Sequence, residues 1–106
     1  MRLDLKNLIN YHDEQISSRF LSDKIGTSAP LTLYAFAANE TISNEVSQLQ
    51  KVFMVLEGQL QVSYATTERE EIATAGELII VPANEAHNLK ALTPCKYFQL
   101  ELPSNN

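Results

Sequence analysis

Apolar and polar residues alternate with a period of two through Leu31-Thr32-Leu33-Tyr34-Ala35-Phe36 and again through Gln59-Leu60-Gln61-Val62-Ser63-Tyr64. That period marks a strand with one face buried and the other turned to water. Glycine turns at Glu57-Gly58 and Ala75-Gly76 cut the second half into short segments, at roughly the 8–12-residue spacing of a β-sandwich or barrel. Two compact apolar runs, Val52-Phe53-Met54-Val55-Leu56 and Leu78-Ile79-Ile80-Val81, read as buried strands. The second stops at Pro82, which cannot donate to a sheet ladder. Further strands are expected over residues 70–73, 87–92 and 97–102, with turns at Thr66-Thr67-Glu68-Arg69 and Thr93-Pro94. The run before Gly58 and the alternation after it predict a β-hairpin turning at Glu57-Gly58, the glycine supplying a positive φ. Residues 15–21 suit a helical face through Ile16, Phe20 and Leu21, or a strand; the strand continues the pattern of an all-β chain and is preferred. Residues 6–11 suit one helical turn.

At 106 residues the chain fits one domain, read as an N-terminal arm over residues 1–14 and a barrel over residues 15–102. A domain this small is marginal enough for association to help it. An apolar fraction of 44% with 20% charged residues is globular composition. The net charge of −5, with eight basic residues scattered from Arg2 to Lys96, excludes a nucleic-acid surface. No apolar run nears the ~20 residues of a membrane span, and Met1-Arg2-Leu3-Asp4-Leu5-Lys6 lacks the apolar stretch of a secretory signal. The single cysteine, Cys95, cannot form an internal disulfide, so a cytoplasmic address is expected.

The most specific stretch is Gly76-Glu77-Leu78-Ile79-Ile80-Val81-Pro82-Ala83-Asn84-Glu85-Ala86-His87. Physically it is a turn glycine, a strand, a proline stop, a tight turn and a histidine entering the next strand. It resembles the second conserved motif of the cupin superfamily, G-x5-P-x-G-x2-H-x3-N, with Gly76, Pro82 and His87 in place. Asn84 replaces the motif's middle glycine, and asparagine tolerates left-handed backbone better than other side chains. Ala91 stands where the motif ends in asparagine. The resemblance implies a cupin-type double-stranded β-helix, or jelly-roll barrel, with His87 aimed into the barrel mouth.

The first cupin motif, G-x5-H-x-H-x3,4-E-x6-G, is degenerate. With its last glycine at Gly58, the glutamate position falls at Lys51, and the histidine positions fall at Glu45 and Ser47, or at Asn44 and Val46. The resemblance implies, where both motifs are intact, a divalent iron, manganese, nickel or zinc on three histidines and a glutamate. Here only His87 keeps its place. A protonated Lys51 has no lone pair to give, and His87 with Glu45 falls short of the three protein ligands of a catalytic zinc centre. No catalytic metal is therefore expected.

His87, Glu45 and Lys51 are the candidate ligand-binding residues. His87 suits a general acid/base or a hydrogen-bonding anchor; the plainer alternative is an idle inherited residue. Lys51, turned inward, would bind an anion, pair with Glu45 or act as a nucleophile; turned outward it is a solvated strand residue, and a one-residue slip reverses its face. Glu45 pairs with Lys51 if both face inward, and is otherwise a solvated carboxylate. Phe36, Phe53, Met54, Tyr64 and Tyr97 read as core. Gln48, Gln50, Gln59 and Gln61 read as a polar cluster around the hairpin, His12 as a surface residue, and Cys95 as an inert thiol in a turn.

The expected function is binding of a small polar ligand in the barrel without a catalytic metal. The alternatives are a metal-dependent cupin enzyme (dioxygenase, isomerase or decarboxylase), a metal-free acid/base enzyme using His87 and Lys51, and a free-standing sensory domain needing a partner chain. A homodimer is expected, since the resemblance implies association through edges and N-terminal strands. The segment up to Phe36 also carries more apolar residues than one small barrel needs.

Overall fold

The computed structural model describes residues 1–104. They form nine strands: β1 Ile16–Phe20, β2 Leu31–Phe36, β3 Thr41–Glu45, β4 Gln50–Glu57, β5 Gln59–Tyr64, β6 Glu70–Thr74, β7 Leu78–Val81, β8 His87–Ala91 and β9 Cys95–Leu102. A short helix, α1 Ser22–Ile25, joins β1 to β2, and a 3-10 turn at Leu5–Asn7 overlaps only the start of the helical turn expected over residues 6–11. The strands make two antiparallel sheets, one in the order β1-β2-β9-β4-β7 and the other in the order β3-β8-β5-β6. This is the all-β jelly roll that the sequence predicts, and β1 confirms the strand reading of residues 15–21.

Alternation builds the interior. Phe53 and Val55 enter it from β4, Leu60, Val62 and Tyr64 from β5, Leu89 and Ala91 from β8, and Cys95 and Tyr97 from β9. Tyr97 is the hub of an aromatic group, stacked on Tyr34 at 5.0 Å between centroids and flanked by Phe36 at 5.3 Å and Phe53 at 5.5 Å. Each large apolar side chain buried this way contributes about 1.5–3 kcal/mol.

The hairpin at Glu57-Gly58 is not formed. β4 pairs with β7 and β9, whereas β5 pairs with β6 and β8, so the turn is a corner at which the chain crosses between sheets. Gly58 has φ +81°, and a Cβ there would lie 2.0 Å from the carbonyl oxygen of Pro94. A glycine between two strands is common to hairpin and corner, and only long-range pairing separates them.

Four other expectations change. β3 was not foreseen, because Thr41-Ile42-Ser43-Asn44-Glu45 has one apolar residue and lies at a sheet edge. In β7 only Ile79 and Val81 are buried; Leu78 and Ile80 are each 47% exposed on the outer face. Met54 belongs to that outer face too, not to the core, because it pairs with Leu78 across the sheet. Cys95 opens β9 fully buried instead of lying in a turn.

The outer face of the five-stranded sheet is apolar across its width. Over β2 and β9 the chain covers it with Leu5, Leu8, Ile9, Tyr11 and Leu21, packed on Leu31, Leu33, Ala35, Phe98 and Leu100. The apolar surplus of the N-terminal segment is therefore largely used within the chain. The half formed by β4 and the edge strand β7 stays open.

Candidate functional site

Three strands bring Glu45, Lys51 and His87 together in the barrel. Lys51 lies across from Val81, an interior residue, so its side chain shares the inner face, and it is 9% exposed. His87 opens β8 with Tyr64 on one side and Glu45 on the other, and is 1% exposed. The turn leading to it needs Asn84 in a left-handed conformation, φ +65°, as the motif substitution predicts. The Asn84 N–H donates to the Ser47 carbonyl at 2.6 Å, tying the β7–β8 loop to the β3–β4 loop.

Glu45 reaches the interior through a bulge. Ile42 faces Leu89 and packs on the core, so plain alternation would turn Glu45, three residues later, to the outside. Between the pairs Ile42–Leu89 and Glu45–His87, however, β3 carries one residue more than β8. Asn44 absorbs it with φ +56°, its N–H donating to Asn88 Oδ1 at 2.8 Å. Bulges of this kind re-aim a side chain.

Lys51 Nζ donates to Glu45 Oε1 at 3.1 Å, and His87 Nε2 lies 3.2 Å from the same oxygen. The other ring nitrogen, Nδ1, lies 3.0 Å from the Glu85 carbonyl oxygen. Both ring nitrogens thus face oxygens, one of a backbone carbonyl and one of a carboxylate. Glu45 is held below the ordinary carboxylate range chiefly by the hydrogen bond from His87, with Lys51 assisting and burial opposing. Phe53 stands edge-on to the imidazole at 6.1 Å. Glu45 Oε2 accepts no hydrogen bond among the described residues.

Two further polar side chains share this interior. Tyr97 lies across from Tyr34 and Val55, and Gln99 from Thr32 and Phe53. The Tyr97 hydroxyl is fully buried and has no hydrogen-bond partner among the described residues. Burial pushes its ionisation well above the ordinary phenol value, and the negative potentials of Tyr34 and Glu45 add to the shift. Reading Tyr97 as core caught its packing and missed its hydroxyl. Gln99, 5% exposed, was missed altogether; the signal was a glutamine in the inward series Cys95, Tyr97, Gln99.

The remaining candidates lie elsewhere. His12 is exposed, on the rim of a cleft of about 470 Å³ with Tyr11, Asp13 and Glu14. Gln48 and Gln50 line a polar cleft of about 300 Å³ with Pro82, Ala83 and Asn84. Gln61 instead binds Glu70 on the other sheet, so the four glutamines do not form one cluster.

The residues present do not fit the divalent cation that the fold family implies. Among the described residues no three of histidine, cysteine, aspartate and glutamate are placed to hold one metal. The single carboxylate beside His87 is already bound to an ammonium, whose charge would repel a cation at that point.

A family model described as "Cupin domain" matches residues 32–101. Among solved structures, a cupin superfamily protein from Desulfitobacterium hafniense superposes with a TM-score of 0.86 at 22% identity, covering 98% of this chain and 92% of its own. A conserved protein of unknown function from Streptococcus pyogenes gives 0.85 at 17% identity, covering 100% and 90%. An RmlC-like cupin protein from Desulfovibrio desulfuricans gives 0.80 at 16%, covering 97% and 96%. At these identities the likeness concerns the fold. No functionally curated protein matches the sequence. The family match spans more than half of the chain, carries Lys51 and His87, and agrees with the two-sheet barrel: this protein belongs to the cupin family.

Proposed function

We propose that the barrel binds a small polar molecule against Lys51, Glu45 and His87, without a metal cofactor. The observation that carries this reading is the Tyr97 hydroxyl, fully buried in the same interior with no partner among the described residues. An unsatisfied buried hydroxyl costs about 1–3 kcal/mol, and a ligand acceptor atom would remove that cost. The ion-paired cluster in the same interior supplies further hydrogen-bonding capacity.

One observation favours metal-free acid/base chemistry as a second reading. Lys51 and His87 converge on one oxygen, the arrangement required of two groups that exchange protons with a common partner.

The test is native mass spectrometry and metal analysis of protein purified without chelator, with ligand-observed NMR against small polar metabolites. A binder weakened by Tyr97→Phe and by His87→Ala supports the proposal. A stoichiometric metal that disappears in His87→Ala overturns it.

Homodimerisation is proposed as well. Its support is the open outer face, where Met54, Leu78 and Ile80 form one apolar surface on adjacent strands. A second copy of so small a domain would bury it.

A further inference from the structure

We infer that the Glu45 carboxylate is an internal stand-in for a ligand's own acid group, and that the barrel takes a small carboxylate-bearing molecule which binds by displacing Glu45. This deepens, and rests on, the reading of the barrel as a small-molecule site.

The donors are fixed and the acceptor is not. Lys51 projects from β4, held between β7 and β9. His87 is pinned by the Glu85 carbonyl and by the edge of Phe53. Both side chains are more than nine-tenths buried, whereas that of Glu45 is 26% exposed. Glu45 ends the edge strand β3, which pairs with β8 alone, and it follows a bulge at a residue of positive φ. Of the three groups, only Glu45 has a short route to water.

Charge decides the ligand class. Moving Glu45 outward leaves the Lys51 ammonium buried without its counter-charge and the His87 Nε2 without its partner, and an uncompensated buried charge is strongly unfavourable. A neutral molecule cannot take that place, because it does not restore the charge. A carboxylate does so with the planar shape of the group it replaces. It also brings a second oxygen, and the barrel holds a hydroxyl donor with no partner among the described residues, Tyr97 Oη. Glu45 meets Lys51 and His87 through Oε1 alone and does not bind that hydroxyl. Beyond the acid group, Phe53, Tyr34 and Tyr97 offer aromatic surface to a short carbon chain.

The experiment follows the His87 imidazole resonances by NMR during titration with acetate and propionate, and with the neutral isosteres acetamide and propionamide. The proteins are wild type, Glu45→Ala, Glu45→Gln and Glu45→Ala/Lys51→Met. Wild type is expected to bind the acids and not the amides. Removing the internal competitor is expected to tighten acid binding about tenfold in Glu45→Ala, with Glu45→Gln also tighter than wild type, and adding Lys51→Met abolishes it. Glu45→Gln keeps the side chain's size and serves if Glu45→Ala does not fold. Equal binding of acids and amides overturns the carboxylate assignment and leaves the polar-ligand site standing. Acid binding unchanged by both Glu45 substitutions, or confined to them and absent from wild type, shows that Glu45 is not displaced. If no probe shifts His87 in any protein, the reading of the barrel as a small-molecule site falls with it.

Discussion

Lys51 and Glu45 are six residues apart in the chain, yet their 3.1 Å ion pair spans the two sheets of the barrel, β4 on one side and β3 on the other. Lys51 is the more buried partner and depends on Glu45 for its counter-charge. Glu45→Ala is therefore predicted to destabilise the protein by about 2–3 kcal/mol, below the usual cost of breaking a fully buried pair because Glu45 is partly exposed. The double substitution Glu45→Leu/Lys51→Met removes both charges and is predicted to cost less than Glu45→Ala alone. Urea denaturation of the three proteins decides it. A double variant less stable than Glu45→Ala refutes the buried-charge explanation.

The same pair sets a pH dependence. Glu45 titrates below its ordinary value of 4.5, chiefly because His87 hydrogen-bonds it. A carboxylate with a depressed folded pKa stabilises the fold above its unfolded pKa, and that contribution is lost as pH falls through the folded value. The stability difference between wild type and Glu45→Gln should be constant at mildly acidic pH and above. It should shrink steadily below about pH 4.5. Urea midpoints across that range give the answer; a gap that widens on acidification contradicts the assignment.

Tyr97→Phe should stabilise the unliganded protein by about 1 kcal/mol, since it removes a buried hydroxyl with no partner among the described residues and keeps the ring packing. Ligand binding should weaken in the same variant. Stability given up for function is common at binding sites. A loss of stability, seen by thermal or urea unfolding, would mean that the hydroxyl already has a partner.

Gly58 and Gly76 both hold positive φ, +81° and +89°, but their surroundings differ. An added Cβ at Gly76 meets open space, so Gly76→Ala should cost only the left-handed strain, about 1–2 kcal/mol. At Gly58 it would run into the Pro94 carbonyl and the Cys95 backbone. Gly58→Ala should cost about 2–5 kcal/mol once overpacking is added to the strain. Comparable unfolding midpoints for the two variants would show that the corner can yield.

If two copies bury the open face, Ile80→Asp should shift the protein from dimer to monomer in sedimentation-velocity experiments while leaving the His87 resonances unchanged. A wild type that sediments as a monomer at all concentrations disposes of the dimer.

The strands carried by period-two alternation were legible from sequence, and so was the tight turn into His87, because Pro82 and Asn84 act on their own backbone. What stayed hidden was non-local. The Gly58 corner looks like a hairpin until the partners of β4 and β5 are known. Met54, Leu78 and Ile80 look like core because both faces of their sheet are apolar. Glu45 and Lys51 could be named as a pair but not oriented, since one residue of register reverses a side chain's face.

That last point gives the bulge at Asn44 an unusual standing. Whether the acid at position 45 enters the barrel is governed by where β3 takes up its extra residue, not by residue type alone. Deleting Ser43 would remove that extra residue, and plain alternation would then keep Glu45, two residues after Ile42, on the inner face opposite His87. A strand of the same residues that took up its extra residue after position 45 instead of before it would turn the acid outward and leave Lys51 facing His87 without a carboxylate between them.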